Sequence, residues 1–463
     1  MNDRITLAEP TRALAAYASR LAYRDLPREV VAKSRLCALD AIGCMLHGST
    51  LPWTRIVRDV ALEQGGAPQA VVIGTPHRTA VTQAVLVNST AGHGFELDDA
   101  HTRASMHVGS MTVSSALAIG EWKGRIDGRD FVTALVAGYE AGLRIGAAGA
   151  GNIFKRGFHS AAVCGVFAAA ATAGRLIGLD AGQMQHAFGI AGSLASGLMA
   201  AQEGAMVKRL HSGRAAQTGV YAALLASRGF TGIPNVLEAP FGGFFSAMTD
   251  QCQPEALTAG LGRTWETLAV GFKPYATAGA IHASLQGLDD IMGRTRLTAD
   301  DIAEISVRCT SYCQRHVAWP YRPQGVASAQ LNIYYALAVM ALDRDAMIEQ
   351  FREERLGDPR ILDFIPRIRV DSDPRFDAMG NDYRYAVSLT LRTRNGESLA
   401  FETLHRPGTR ENPVSEARLK SKFALLAGCA LPGDRVQAVL EMVNELEQLD
   451  DSRRLSQLLA VPA

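Results

Sequence analysis

The chain has 463 residues, of which 48% are hydrophobic and 20% charged, and its formal net charge is +1. That length exceeds one compact core and calls for more than one domain, while the composition excludes a disordered chain. No basic or acidic block breaks the near-neutral balance, so neither nucleic acid nor an anionic membrane is expected as a partner.

In the opening stretch MNDRITLAEPTRALAAYASRL, Asp3, Arg4, Glu9 and Arg12 fall where a signal peptide needs an unbroken apolar run, so a cytoplasmic protein is expected. From there to about Arg263 the pattern is helical. Phe131, Val132, Leu135, Val136, Tyr139 and Leu143 repeat at helical spacing, and Asp127 reads as an N-cap. The run Ser160–Gly174, SAAVCGVFAAAATAG, is too short and too Ala-rich to span a bilayer. A further helix opens at Asp180, with Gln183 in capping-box relation, and is expected to continue through HAFGIAGSLASGLM. Gly189, Gly192 and Gly197 would give that helix close contacts.

Beyond Lys273 the character changes. Ile302–Cys309 alternates apolar and polar residues as a strand does, and Arg367–Val370 does so briefly. Tyr385–Arg392 and Ser398–Thr403 flank Asn395-Gly396, a hairpin signal. Helical stretches at Ala280–Met292 and Leu331–Leu342 separate these strands, and the pattern returns to helix after NPVSEARLKSKFALLAG, with Val436–Leu449 amphipathic. The spacing predicts a mainly α protein: a large all-helical domain built from residues 1–272 and 407–463, and a smaller α+β domain over 273–406.

The seven cysteines (Cys37, Cys44, Cys164, Cys252, Cys309, Cys313 and Cys429) are scattered without a CxxC pair, as free and mostly buried thiols would be. Cys309 and Cys313 read as thiols in a strand and its following loop. Gly146, Gly149 and Gly151 lack the spacing of a dinucleotide fingerprint, and neither a phosphate-binding loop nor a GxSxG elbow occurs. A metal site can be drawn from His93, Glu96, Asp98 and His101, but no HExxH-like spacing sets two ligands on one helical face, so no metal is expected.

What remains is a set of polar islands in apolar sequence. The densest is Gly92–Ser110, GHGFELDDAHTRASMHVGS, which holds His93, Glu96, Asp98, Asp99, His101 and His107. Lys155-Arg156-Gly157-Phe158-His159 is another, and Met206–Arg214 carries Lys208 and His211. Phe272-Lys273-Pro274-Tyr275, followed by His282, and Trp319-Pro320-Tyr321-Arg322-Pro323 complete the set. Together they offer acids, imidazoles, cations and a phenol.

At these islands the sequence resembles the MmgE/PrpD family, which includes 2-methylcitrate dehydratase, cis-aconitate decarboxylase and iminodisuccinate epimerase. The likeness runs from CALDAIGCMLHGS through GHGFELDDAH, GYEAGLRIG, RGFHSAAVCG, FGIAGSLASGL, KRLHSGRAAQTG, GFTGIPNVLE and FKPYATAGAIH to ENPVSEARLKSKF. The order and spacing of the pieces carry it. The resemblance implies that the smaller α+β domain is a lid, that the protein is a homodimer, and that a small polycarboxylate is transformed with neither a metal nor an organic cofactor. In the decarboxylase branch, the pocket residues match Glu96, Ala100, His107, His159, Lys208 and Tyr321. The chain departs from the usual DFDDTH and HPG, with Glu96 in place of the first acid, Ala100 where a threonine stands, and Val108 where a proline stands; the usual KPYPCC becomes Lys273-Pro274-Tyr275-Ala276-Thr277.

All three family reactions build negative charge on a carbon next to a carboxylate, so a proton must move there while cations hold the enolate-like species. His107 and His159 suit the proton transfer and Lys208 the developing charge. Lys273, His282 and Arg322 are expected to bind further carboxylates from the lid side, with His211 and Tyr321 also binding substrate. Glu96 is expected to orient a histidine or bond a substrate hydroxyl, and Asp98 and Asp99 to cap the following helix. Dehydration stands first among the reactions, epimerisation second and decarboxylation third. A catalytically idle binder that retains the pocket is the alternative from another class.

Overall fold

A computed structural model describes residues 9–149 and 151–461; Asp3 and Arg4, on which part of the leader argument rests, lie outside the described residues. The described chain is mainly α-helical with small sheets. It divides into two compact units, the first formed by residues up to 94, 98–270 and 416 onward, the second by 95–97 and 271–415.

The first unit is built on helices Arg28–Ser49, Val81–Gly92, Gly109–Lys123, Gly128–Ala148, Ser160–Ile177, Ala181–Ser193 and Val207–Ala226. Asp127 accepts a hydrogen bond from the Asp130 N–H, and Asp180 and Gln183 form a reciprocal capping box, so both helices start where the sequence signals them. Ser160–Ile177 runs past the expected Gly174 and is long and apolar enough to cross a membrane by length and composition. Yet 89% of it is buried inside the protein, which marks it as a core helix. Its crossing with Val207–Ala226 is tight: a Cβ on Gly219 would lie 2.4 Å from the Val166 carbonyl oxygen, a distance no side chain tolerates.

The helix from Asp180 stops at Ser193, short of the expected continuation through Met199. Gly197 sits at φ +151°, and its N-terminal neighbours pass as irregular chain. The chain end rejoins this unit through Glu416–Ala427, which packs on Arg28–Ser49 and buries the ion pair Lys422–Asp40 at 2.6 Å.

The second unit holds a four-stranded sheet in the order Ile368–Ser372, Ile302–Cys309, Val387–Thr393, Ser398–Thr403. The first pair is parallel and the others antiparallel. Ile305, Val307, Leu389 and Leu391 are buried, as strand alternation with one covered face requires. Helices His282–Thr295 and Ile333–Asp343 belong to the same unit. Cys313 begins no loop but sits in the short helix Ser311–Val317. Residues 407–415, which the sequence reading gives to the helical domain, stay with this unit. The Phe272 N–H donates to the Gly408 carbonyl at 2.8 Å, and Asn412 donates to Gln286 at 2.9 Å.

Candidate active site

In the first unit the ends of several helices bring the polar islands together. His93 follows Val81–Gly92 directly, and His107 stands two residues before Gly109–Lys123. His159 occupies the N-cap position of Ser160–Ile177, while Lys208 and His211 lie in the first turns of Val207–Ala226. Beneath them, the Ser212 hydroxyl bonds the hydroxyls of Ser89 at 2.9 Å and Ser110 at 2.7 Å, tying these helices to one another. The N-termini of Gly109–Lys123, Ser160–Ile177 and Val207–Ala226 carry partial positive charge that favours an anion, against the partial negative charge at the C-terminus of Val81–Gly92.

The histidines form a chain of rings. His93 lies 5.5 Å from His107 and 5.5 Å from His159, and His159 lies 5.3 Å from His211, centroid to centroid. The His107 Nδ1–H donates to the Asp99 carbonyl oxygen at 2.6 Å. His159 and His211 share a 3.1 Å contact between their Nδ1 atoms, so one of the two nitrogens carries the proton and the other accepts it. Burial depresses the His159 imidazole well below its ordinary value, with His93, Lys208, His211 and His107 adding to the effect. His211 is pushed down to about 4 by burial, then by His93 and Lys208. Burial thus disfavours the protonated form of both rings. The segment 194–198 crosses against them: a Cβ on Gly197 would lie 2.5 Å from that of Ala162 and 3.5 Å from the His211 ring, so this close passage requires glycine. A cavity of about 630 Å³ opens beside His211, lined also by Val166, Leu194, Leu198, Val207 and Arg214.

The Asp98 carboxylate, expected to cap the following helix, faces the histidines: its Oδ2 meets His93 Nδ1 at 2.6 Å, and its Oδ1 lies 3.7 Å from His107 Nδ1. Capping falls to Asp99, whose carboxylate accepts the Gly109 N–H at 3.1 Å and the Tyr139 hydroxyl at 2.8 Å. His101 is structural: its Nδ1 accepts the Ala104 N–H at 3.1 Å, and its Nε2 stands 3.2 Å from Glu266. His93, absent from the expected catalytic set, is the ring that links His107 to His159.

The second unit holds the other expected residues. Glu96, at φ +41°, pairs with Lys273 at 3.0 Å, both buried. Glu96, expected to orient a histidine or bond a substrate hydroxyl, thus has a lysine ammonium as a partner, and the Lys273 charge is met by a carboxylate. The His282 Nε2–H donates to the Thr277 carbonyl at 3.1 Å, and its ring meets the Tyr275 ring edge-on. The Tyr321 hydroxyl donates to the Leu356 carbonyl at 3.0 Å, and Arg322 is exposed. Ala100 and Val108 belong to the first unit, where Val108 takes the N-cap position of Gly109–Lys123 without a side-chain cap.

A family model for the MmgE/PrpD N-terminal domain matches residues 12–257, and one for the MmgE/PrpD C-terminal domain matches residues 275–448. The chain belongs to the MmgE/PrpD family. Similar curated proteins cover nearly its whole length. A cis-aconitate decarboxylase of Aspergillus terreus is 31% identical over 98% of this chain and 96% of its own. Cis-aconitate decarboxylases of Homo sapiens and Mus musculus are 27% and 26% identical, over 98% and 99% of this chain and 95% and 94% of theirs. The MmgE/PrpD N-terminal match contains every member of the histidine chain and Lys208; the C-terminal match contains His282, Tyr321 and Arg322 and begins just after Lys273.

Proposed function

We propose that the protein is a lyase that removes carbon dioxide from a small unsaturated polycarboxylate such as cis-aconitate, using side chains alone. The observation that carries this reading is the chain His107–His93–His159–His211 beside the Lys208 ammonium. It supplies proton carriers and a fixed cation where a carbanion next to a carboxylate needs both. The likeness to full-length cis-aconitate decarboxylases moves decarboxylation ahead of dehydration, which the sequence alone places first.

In the proposed reaction the carbon–carboxylate bond breaks and its electron pair passes into the adjoining unsaturated carboxylate system, with Lys208 opposing the charge that develops there. Carbon dioxide is released as that bond breaks, and His107, having taken a proton from solvent at Nε2, then gives it to carbon and returns to the neutral ring. His107 is oriented for this exchange: with Nδ1–H committed to the Asp99 carbonyl, its Nε2 is the nitrogen left to take up and return a proton. The neutral state of His159 suits proton abstraction equally, which is the observation favouring dehydration of a hydroxy acid as the second reading. A cytoplasmic homodimer with no metal remains part of the proposal, and light scattering on the purified protein tests the assembly.

The test of the reaction is incubation with a panel of polycarboxylates in deuterated water, followed by proton NMR. Loss of carbon dioxide with one deuterium entering the product supports the proposal. Water loss, or exchange without net change, assigns the protein to the dehydratase or epimerase chemistry instead.

A further inference from the structure

His93 is nearly inaccessible, with 1% of its surface exposed, and its partner Asp98 is 2% exposed. Their 2.6 Å contact is the closest approach of a carboxylate to an imidazole within the histidine chain, since Asp98 reaches His107 only at 3.7 Å. Because the carboxylate accepts, the Nδ1 proton of His93 is held, and the other nitrogen, Nε2, is buried with no hydrogen-bond partner among the described residues. A buried nitrogen left open costs free energy unless it is used. The rings it can serve, His107 and His159, stand 5.5 Å away by centroid, a spacing bridged by facing nitrogens or one water.

We propose that the Asp98–His93 pair is the proton store of the site: His93 is a positioning residue that resupplies the proton spent by His107 or His159. The step is balanced within the protein. One N–H bond breaks at His93 Nε2 and one forms on the neighbouring imidazole that has just protonated carbon, while Asp98 stays ionised. His93 then regains a proton from solvent through the same rings. The charges facing His93 divide cleanly. The Asp98 carboxylate touches the ring at 2.6 Å, while the Lys208 ammonium and the guanidinium of Arg209, which donates to the His93 carbonyl at 3.4 Å, are the cations around it. Removing the Asp98 charge removes, among the described residues, the carboxylate that touches the ring at 2.6 Å. The inference deepens the lyase reading and rests on it in its kinetic arm alone.

The experiment compares Asp98→Asn and His93→Gln with the wild type. Asparagine keeps an oxygen to accept from Nδ1 but loses the charge; glutamine keeps a donor for Asp98 but carries no exchangeable proton near neutral pH. In Asp98→Asn the alkaline limb of the kcat/KM profile should move to lower pH by about one unit, the usual scale for losing an opposite charge at this range. In His93→Gln kcat should fall at least about tenfold with KM little changed. A merely structural pair would lower the rate without moving the limb. The second arm needs no substrate: with histidines labelled by nitrogen-15, the His93 Nδ1 proton should resonate far downfield in the wild type, move upfield in Asp98→Asn and be absent in His93→Gln. An unchanged profile in folded Asp98→Asn, or wild-type turnover in His93→Gln, overturns the proposal. A wild type inactive on every polycarboxylate, but with the downfield proton present and moved or lost on substitution, overturns the lyase reading and leaves the paired state of His93 standing.

Discussion

The Asp99 backbone carbonyl accepts the Nδ1 proton of His107 at 2.6 Å. A carbonyl oxygen has no proton to give, so this contact selects one tautomer of the ring and aims its basic nitrogen away from the loop. The same residue uses its carboxylate to hold the Gly109 N–H and the Tyr139 hydroxyl. Asp99 thus ties the His107 ring to the start of the helix behind it.

Lys208→Met should raise KM and lower kcat together, each by roughly tenfold to a hundredfold, the scale of a hydrogen bond to a charged group. The ammonium acts on bound carboxylate and on developing charge alike. Its loss should also let the His211 imidazole climb from about 4, since Lys208 is among the groups that depress it after burial and His93. Steady-state kinetics and an NMR titration of His211 check the two effects separately.

Asp99 gives the fold a pH dependence. Burial, aided by the negative charges of Asp40 and Asp98, raises its carboxyl from 3.8 to about 7. Between those values the folded protein holds a proton that the unfolded chain has released. The stabilisation is therefore complete below about pH 4 and is lost as pH rises through 7. Urea unfolding should show a contribution from this group that falls by roughly 2–3 kcal/mol between pH 5 and pH 8. Asp99→Asn, which cannot ionise yet still accepts hydrogen bonds, should flatten that part of the curve.

Lys422 and Asp40 join the chain end to the helix Arg28–Ser49 inside the first unit. Lys422→Met should cost roughly 3–5 kcal/mol in unfolding free energy, because it removes the ammonium 2.6 Å from a buried carboxylate. The double variant Lys422→Met with Asp40→Asn should recover most of the loss. Denaturant melts of the single and double variants measure both values.

The parts of the fold visible in sequence were those with a local cause. Ile302–Cys309 and Ser398–Thr403 alternate over a covered sheet face, and Asp127 and Asp180 cap within one turn, so a short window contains the whole signal. The helix beyond Ser193 was overextended because small residues mimic helical spacing, whereas the φ of Gly197 is set by its passage against Ala162 and His211. At the site, the richness of Gly92–Ser110 in titratable groups was plain, but the partners were not. The Glu96–Lys273 pair spans 177 residues, and no local pattern joins the two. His93 and Asp98 are only five residues apart, but the intervening chain is irregular, so neither helical nor strand periodicity shows that the side chains meet. An imidazole immediately after a helix, followed at short range by an acid, is the signal that marks His93.

The most direct test of the account is the turnover of His107→Gln, taken with a melting curve to establish that the variant is folded. Glutamine has similar reach and a donor for the Asp99 carbonyl, but it cannot exchange a proton near neutral pH. The account predicts near-normal substrate binding with turnover reduced by about 10²-fold or more, the usual scale for loss of a general acid–base group. Near-normal turnover in the folded variant would contradict it and remove His107 from the proton-transfer step.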